Sequence, residues 1–328
     1  MSSPFTEAQY RAAPGLSNSA MKDLAVSPLR FWFCHVNPNK PELRETPEMA
    51  IGQALHCAVL EPSEFDKRYC CEVNPDDYPG LLRTMDDLKR WLAERGLPST
   101  AKLKADLVKR VQETEATVPI LDVLEARHAD ENAGKSQFKR DDWERIRGMA
   151  EALKAEPKLQ EILEGGGEAE IPMFAGDPDT GVLLKARMDF ISPDFTLDLK
   201  TFSQTRGNSI DRTVTNAIWY EKYYVQAYWY SYLRSLQPSF EKQGIAALAP
   251  PFVIAFVESD PPHEVRLRSL LPKIGGEVNL LWEKARLECR GLVRLYADCV
   301  ERWGDNPWRE TRDVDPVRDE EFPSLSYY

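Results

Sequence analysis

No stretch of this 328-residue sequence approaches the ~18–20 consecutive apolar residues that a helix needs to cross a bilayer, so a helical membrane protein is excluded. No Cys-x-x-Cys occurs, and neither a zinc knuckle nor an iron–sulfur cluster has an obvious ligand set. Six cysteines are present, but Cys70 and Cys71 are adjacent, a poor arrangement for a disulfide framework; reduced, partly buried thiols are expected. Positive charge is in deficit: 42 Lys and Arg against 53 Asp and Glu give a net charge of −11. That balance argues against a protein that coats nucleic acid non-specifically, although a local basic groove around an acidic metal site stays open. The start, Met1-Ser-Ser-Pro-Phe-Thr-Glu, lacks the basic and apolar stretches of a secretory signal, so a cytoplasmic protein with no membrane partner is expected. Internal repeats and low-complexity segments are absent as well.

What is present is ordinary globular material, 42% hydrophobic and 29% charged, long enough for one or two domains. Ser17 or Ser19 can cap a short helix, and Ser27-Pro begins another short element. Met49 to Leu60 reads as a buried helix with Ala50, Ala54, Cys57 and Ala58 at helical spacing, and Pro62 ends it or starts the next turn. From about Asp86 to Glu164 the sequence is helical and highly charged, divided by Pro98, Pro119 and Pro157; it reads as an α-helical insertion. Gly165-Gly-Gly ends that region.

Strands follow. Glu168 to Phe174, Val182 to Ile191 and Phe195 to Thr201 are separated by Asp-Pro-Asp-Thr-Gly and Ser-Pro-Asp turns. A long aromatic helix is predicted over Trp219 to Leu233, then strands at Pro251 to Val257 and His263 to Leu270. A final helix from about Pro272 to Val300 leads into a tail over about 301–328. A single domain, 1–328, is the expected organisation.

The chemistry concentrates in Lys185-Ala-Arg-Met-Asp-Phe-Ile-Ser-Pro-Asp-Phe-Thr-Leu-Asp-Leu-Lys-Thr201. On a strand Asp198 and Lys200 share a face, with Leu197 and Leu199 on the other. A two-residue turn at Pro193-Asp194 pairs Ser192 with Phe195, Ile191 with Thr196, Phe190 with Leu197 and Asp189 with Asp198; a longer loop would offset the pairing. Facing carboxylates need a cation, a shared proton or solvent. Their oxygens suit Mg²⁺ or Mn²⁺ rather than zinc, and Lys200 is placed to polarise or deprotonate water, or to stabilise charge on a phosphate oxygen. Asp-x-Lys alone is common on solvated hairpins; Asp189 on the adjoining strand makes the pattern more specific. Gln226 and Tyr230 share one helical face with Tyr223 a turn behind Gln226, while Trp219, Tyr228 and Trp229 read as an aromatic core stripe. Lys185, Arg187, Arg206, Arg212 and Lys222 are candidates for a local phosphate-binding surface.

Four segments in order resemble the RecB-like branch of the PD-(D/E)xK nucleases, above all the RecE-type (exodeoxyribonuclease VIII-like) phage exonucleases. They are Leu16-Ser-Asn-Ser-Ala-Met-Lys with Ser27-Pro; Gly52-Gln-Ala-Leu-His56; Glu170-Ile-Pro-Met-Phe with Gly181, Lys185-Ala-Arg-Met-Asp189 and Asp198-Leu-Lys-Thr201; and Tyr224-Val-Gln226-Ala-Tyr-Trp-Tyr230. The resemblance runs from Leu16 to Tyr230 and implies an α/β fold, a small mixed β-sheet flanked by helices with an α-helical insertion. It implies that Asp189 and Asp198 bind a catalytic metal with His56 and the backbone carbonyl of Leu199. Lys200 would handle the attacking water, and Glu170 would stand at the site's edge, with Glu168 the alternative two residues away. A lone histidine among Ala, Leu and Cys is ordinarily a satisfied core residue; the ligand role of His56 comes from the resemblance, and its imidazole suits Mn²⁺ better than Mg²⁺. Substrate contacts would come from Gln226, Tyr230, Arg187, Ser17 and Ser19.

The implied function is a Mg²⁺-dependent exodeoxyribonuclease on linear double-stranded DNA ends, 5′→3′, forming a homo-oligomer and serving recombination with a single-strand annealing protein. A PD-(D/E)xK endonuclease or single-strand nuclease is the enzymatic alternative, and a non-catalytic DNA-end-binding recombination scaffold is the alternative from another class.

Overall fold

The computed structural model describes residues 7–42, 45–237 and 250–310. In chain order the helices are α1 (Glu7–Ala12), α2 (Asn18–Val26), α3 (Pro28–Phe31), α4 (Pro47–Leu60), α5 (Pro62–Arg68), α6 (Met85–Glu94), α7 (Lys104–Thr114), α8 (Leu121–Glu131), α9 (Arg140–Ala155), α10 (Pro157–Glu164), α11 (Ile210–Tyr220), α12 (Tyr223–Ser235) and α13 (Leu280–Trp303). The strands are β1 (Tyr69–Cys71), β2 (Ser136–Phe138), β3 (Glu168–Gly176), β4 (Leu183–Ile191), β5 (Thr196–Phe202), β6 (Phe252–Glu258), β7 (Val265–Leu270), β8 (Lys273–Ile274) and β9 (Glu277–Val278). No described helix is long and apolar enough to cross a membrane. All six cysteines are free, four of them buried.

The chain divides into two compact units. The first comprises the segments Met1–Glu45, Lys158–Phe256 and Arg266–Tyr328, and the second comprises Thr46–Pro157 with Val257–Val265. The predicted 86–164 insertion thus falls in the second unit up to Pro157, together with α4, while α10 belongs to the first. Beyond residue 310 the predicted tail lies outside the described residues.

The first unit is built on a mixed sheet of order β3-β4-β5-β6-β7. As the alternation of the sequence predicts, β3, β4 and β5 form an antiparallel meander, with Ala169 opposite Phe190 and Ile171 opposite Met188, then Phe190 opposite Leu197 and Ile191 opposite Thr196. The turn between β4 and β5 spans two residues, the Ser192 N–H donating to Phe195 O at 2.9 Å. Pro-Asp is unusual there; the Ser192 hydroxyl supports it by accepting the Asp194 and Phe195 N–H groups at 3.3 and 3.0 Å. Just before β3, Gly167 lies so close to Ile191 O and the Phe190 ring that a Cβ would collide with both.

β6 is buried along its whole length, and Phe252, Ile254 and Phe256 join Trp229, Leu233, Leu184 and Met188 in the core. Each such large apolar side chain contributes about 1.5–3 kcal/mol on burial. Ser17 caps α2 by accepting the Ala20 N–H at 3.2 Å, and Ser27 does the same for α3, whose first residue is Pro28. Leu16, just ahead of α2, is tied to β4 through Leu183 O and the Lys185 N–H, which brings the α2 start against that strand.

Two predicted helices differ from the observed ones. The aromatic helix is broken at Glu221 and Lys222, where Lys222 takes a left-handed conformation (φ 54°) between α11 and α12. The last helix begins not at Pro272 but at Leu280, capped by Asn279; Gly275 and Gly276 both adopt positive φ and turn 273–278 into the β8–β9 hairpin. The second unit has its own core of Leu82, Leu88, Leu92, Leu107, Val111 and Ile120. Its α4 starts with Pro47 behind a Thr46 cap and buries Ala54, Cys57 and Ala58 as predicted, with His56 half-buried.

Candidate metal and phosphodiester site

Three strands of the first unit bring Glu170, Arg187, Asp189, Asp198, Leu199 and Lys200 together, and α12 adds Gln226 and Tyr230. Asp198 is buried on β5, with Lys200 Nζ 2.6 Å from its Oδ2 and Gln226 Nε2, from α12, donating to its Oδ1 at 2.6 Å. Asp189 on β4 is also buried, and its Oδ2 accepts the Leu199 N–H at 2.8 Å. The carboxylate of one acidic strand therefore bonds the backbone of the other between Asp198 and Lys200. The ladder between β4 and β5 sets Phe190 opposite Leu197 and Ile191 opposite Thr196, the register that the sequence predicts.

Glu170 is the third acid. A carboxylate oxygen of Glu170 and one of Asp189 lie within 4.8 Å of each other. Glu168 is exposed at the strand end opposite Ile191, so of the two alternatives it is Glu170 that meets Asp189. Arg187 Nε lies 2.9 Å from Glu170 Oε2, and its guanidinium is 3.7 Å from Glu7. Glu170, the third residue of β3, has φ +57°, a left-handed conformation costly for a residue with a Cβ. Strain of this kind persists where the surroundings over-determine it, commonly at functional sites.

A paired substitution isolates that strain. Glu170→Ala and Glu170→Gly both remove the carboxylate, so their difference reports the backbone alone. In a relaxed strand Gly is less stable than Ala by ~0.5–1 kcal/mol. At this position the order is expected to reverse, with Gly more stable by about 1 kcal/mol. Urea unfolding of the two variants measures it; Ala equal to or above Gly would show that residue 170 is unstrained.

Burial disfavours the charge on Lys200, but the carboxylates of Asp198 and Asp189 and the hydrogen bond to Asp198 prevail and raise its pKa to about 12. Tyr230 is pushed well above the ordinary tyrosine range by burial and by Asp198 and Asp189, and it hydrogen-bonds Gln226. Both side chains therefore hold their protons at neutral pH. Ser17 and Ser19 have hydroxyls 3.0 Å apart at the α2 start. His56 lies on α4 of the second unit.

Tyr223, one turn from Gln226 as predicted, and two residues absent from the expected set, Lys22 and Arg234, attend this site. Tyr223 lies beneath two ammonium groups, Lys200 Nζ at 5.4 Å and Lys22 Nζ at 5.8 Å from its ring centroid. Loss of solvent and the like charge of Lys200 lower the pKa of Lys22, against a raising influence from Glu221. Arg234, buried on α12, donates to Ser192 O, to Phe195 O at 2.6 Å and to Thr196 Oγ1 at 2.8 Å, which pins the turn joining the two acidic strands. Burial drives its guanidinium down to about 10. Lys22 stands within the Ser-Asn-Ser-Ala-Met-Lys segment, a signal available in the sequence; nothing in the sequence singles out Arg234.

Two expectations are corrected. Lys185 is not part of a phosphate-binding surface: it is buried, with Nζ on the carbonyls of Tyr10, Arg11 and Ala13 at the end of α1. Trp219 is not core: it is 49% exposed, because the break at Lys222 separates it from the face that buries Tyr228 and Trp229.

A family model described as a PDDEXK-like domain of unknown function (DUF3799) matches residues 17–272. No curated protein matches. Among solved structures, a candidate exonuclease from Eubacterium rectale is 14% identical, with 86% of this chain and 99% of that chain covered at a TM-score of 0.36. The protein SSO0001 is 12% identical over 77% of this chain and 87% of its own, with a TM-score of 0.26.

Proposed function

The chain belongs to the PDDEXK-like family DUF3799, and from that premise we propose that it is a metal-dependent nuclease hydrolysing DNA phosphodiesters. The observation that carries this reading is the convergence of Asp189, Asp198 and Glu170 with a charged Lys200 on three neighbouring strands. Three carboxylates supply hard oxygen donors, which fit Mg²⁺ or Mn²⁺. Asp189, Asp198 and Glu170 would hold the ion, with His56 and the Leu199 carbonyl as further proposed ligands. A divalent ion held there supplies Lewis-acid polarisation of the phosphoryl group and lowers the pKa of a bound water.

The protein's own part is placement. Lys200, protonated at neutral pH, acts as a donor: its Nζ–H orients the attacking water or binds a phosphate oxygen as charge develops there. Gln226 and Tyr230 keep Asp198 in one rotamer, Gln226 through its 2.6 Å bond and Tyr230 through Gln226. Arg187 holds Glu170 in register with Asp189. Arg234 holds the turn that fixes the two strands.

Within the nuclease class we propose an exonuclease acting from linear duplex ends, 5′→3′, working as a homo-oligomer beside a single-strand annealing protein. A net charge of −11 fits DNA held in an enclosed channel better than on an open cationic face.

The test is digestion of linear and covalently closed duplex DNA in Mg²⁺, Mn²⁺ and EDTA. Loss of the linear form alone, dependent on metal, is the expected result, with Mn²⁺ supporting at least as high a rate as Mg²⁺. Cutting of the closed circle would establish an endonuclease instead. DNA binding without cleavage in either metal would reduce the protein to a scaffold.

A further inference from the structure

The α11–α12 junction has features that cleavage at the strands does not require. Tyr220 is 75% exposed and Trp219 is 49% exposed, side by side at the end of α11. The Trp219 ring is anchored at its base. The Trp219 indole stacks on Tyr224, with centroids 5.6 Å apart and planes inclined by 23°, and Lys284 Nζ sits 5.7 Å from the indole centroid. Lys222, two positions beyond Tyr220, takes a left-handed conformation between α11 and α12.

The junction is also cationic in an acidic chain. Lys222 and Lys284 share one carboxylate, Glu288, at 3.4 and 2.6 Å. Lys22 Nζ donates to the Glu221 carbonyl, a neutral acceptor, at 2.9 Å. At the junction itself three lysines, Lys22, Lys222 and Lys284, stand against Glu221 and Glu288 in a protein whose net charge is −11. Tyr223 links the two places, since its ring lies under both Lys22 and Lys200.

Exposed aromatic rings interleaved with lysines are the means by which proteins hold unpaired nucleotides, the rings stacking on bases and the ammonium groups following the phosphates. We propose that Trp219 and Tyr220, flanked by Lys22 and Lys222, form a stacking surface for the unpaired nucleotides of a single-stranded DNA end beside the site. The proposal rests on the nuclease reading for its substrate class and deepens it. Within a duplex the bases already stack on one another, whereas a frayed or overhanging strand presents successive free base faces.

The experiment measures binding in Ca²⁺, apart from cleavage, with a fluorescein-labelled thymidine oligonucleotide and a blunt duplex. Trp219→Ala/Tyr220→Ala is expected to weaken oligonucleotide binding by about tenfold or more, the loss of one to two base stacks. Trp219→Phe/Tyr220→Phe, which keeps both rings, is expected to stay near wild type, and the blunt duplex is expected to bind all three proteins alike. Equal oligonucleotide affinity in the Ala variant and wild type overturns the proposal, as does an equal loss on the blunt duplex. A change of oligomeric state with oligonucleotide affinity intact also overturns it and assigns the rings to a protein contact. If wild type cuts DNA while binding ignores the rings, only this inference fails; if binding depends on the rings but nothing is cut, only the nuclease reading fails.

Discussion

Lys200→Met is expected to lower the rate of DNA cleavage by roughly 100–1,000-fold while leaving the affinity for Mn²⁺ no weaker than in wild type. The two halves of this result come from one geometry. Lys200 Nζ lies 2.6 Å from Asp198, and its ammonium neutralises the carboxylates that would otherwise face a metal alone. Removing it takes away the donor to the water or phosphate, so the chemical step suffers. It also takes away a positive charge competing with the metal, so metal affinity holds or rises. Single-turnover cleavage and calorimetric Mn²⁺ titration read the two separately. An unchanged rate would remove Lys200 from the chemistry; a matching loss of metal affinity and rate would make it a structural residue only.

The same substitution has a stability signature. Without metal, the buried Asp198 would lose the ammonium group that Lys200 places 2.6 Å from it, so the metal-free variant is expected to be less stable than wild type. Saturating Mn²⁺ should recover that loss by binding the folded state. The sign with pH is fixed by the direction of the shift. The folded pKa of about 12 lies above the ordinary 10.5, so the pair's stabilisation is complete below 10.5 and fades as pH climbs towards 12. Near neutrality the metal-free protein has all of it.

The sheet was legible because period-2 alternation and turn residues both speak for it. Ser192 bonds Phe195, and Ile191 opposes Thr196, as counting outward from Pro193-Asp194 predicts. Asp189, Asp198 and Lys200 converge because that register leaves little else open to them. What escaped depended on tertiary partners. Lys185 has the look of a surface cation, yet three carbonyls at the end of α1 accept its ammonium. Arg234 sits among aromatic residues with no nearby acid in sequence, and its partners lie some forty positions back along the chain. The Glu221–Lys222 break has no proline or glycine to announce it. Its left-handed lysine has to be imposed by packing, and it converts Trp219 from a core residue into an exposed one. Glu170 was legible as an acid on the right face, but its positive φ was not, since glutamate carries no preference for that region.

Asp177→Ala is expected to lower stability by roughly 3–5 kcal/mol, the usual cost of breaking a buried ion pair. Asp177 is fully buried in the turn between β3 and β4. Its carboxylate accepts from Arg290 of α13, from the Tyr232 hydroxyl of α12 at 2.7 Å, and from the Thr180 N–H and hydroxyl at 3.0 and 2.7 Å. Arg290 also reaches Asp179 at 2.5 Å, so one guanidinium holds both acids of the Asp-Pro-Asp-Thr-Gly turn. That turn sets the register in which Glu170 meets Asp189. Burial alone would raise the Asp177 pKa, but Arg290, Tyr232 and Thr180 outweigh it and bring the group down to about 2. The folded value lies below the ordinary 3.8, so this stabilisation is present above pH 4 and is lost as pH falls towards 2. In thermal unfolding the Ala variant should melt roughly 6–20 °C below wild type at neutral pH, and the gap should narrow in acid. Asp177→Asn, which keeps the shape but not the charge, should fall between them. A neutral-pH loss under about 1 kcal/mol, or a gap that does not narrow below pH 4, would show that the Asp177–Arg290 pair does not hold the turn.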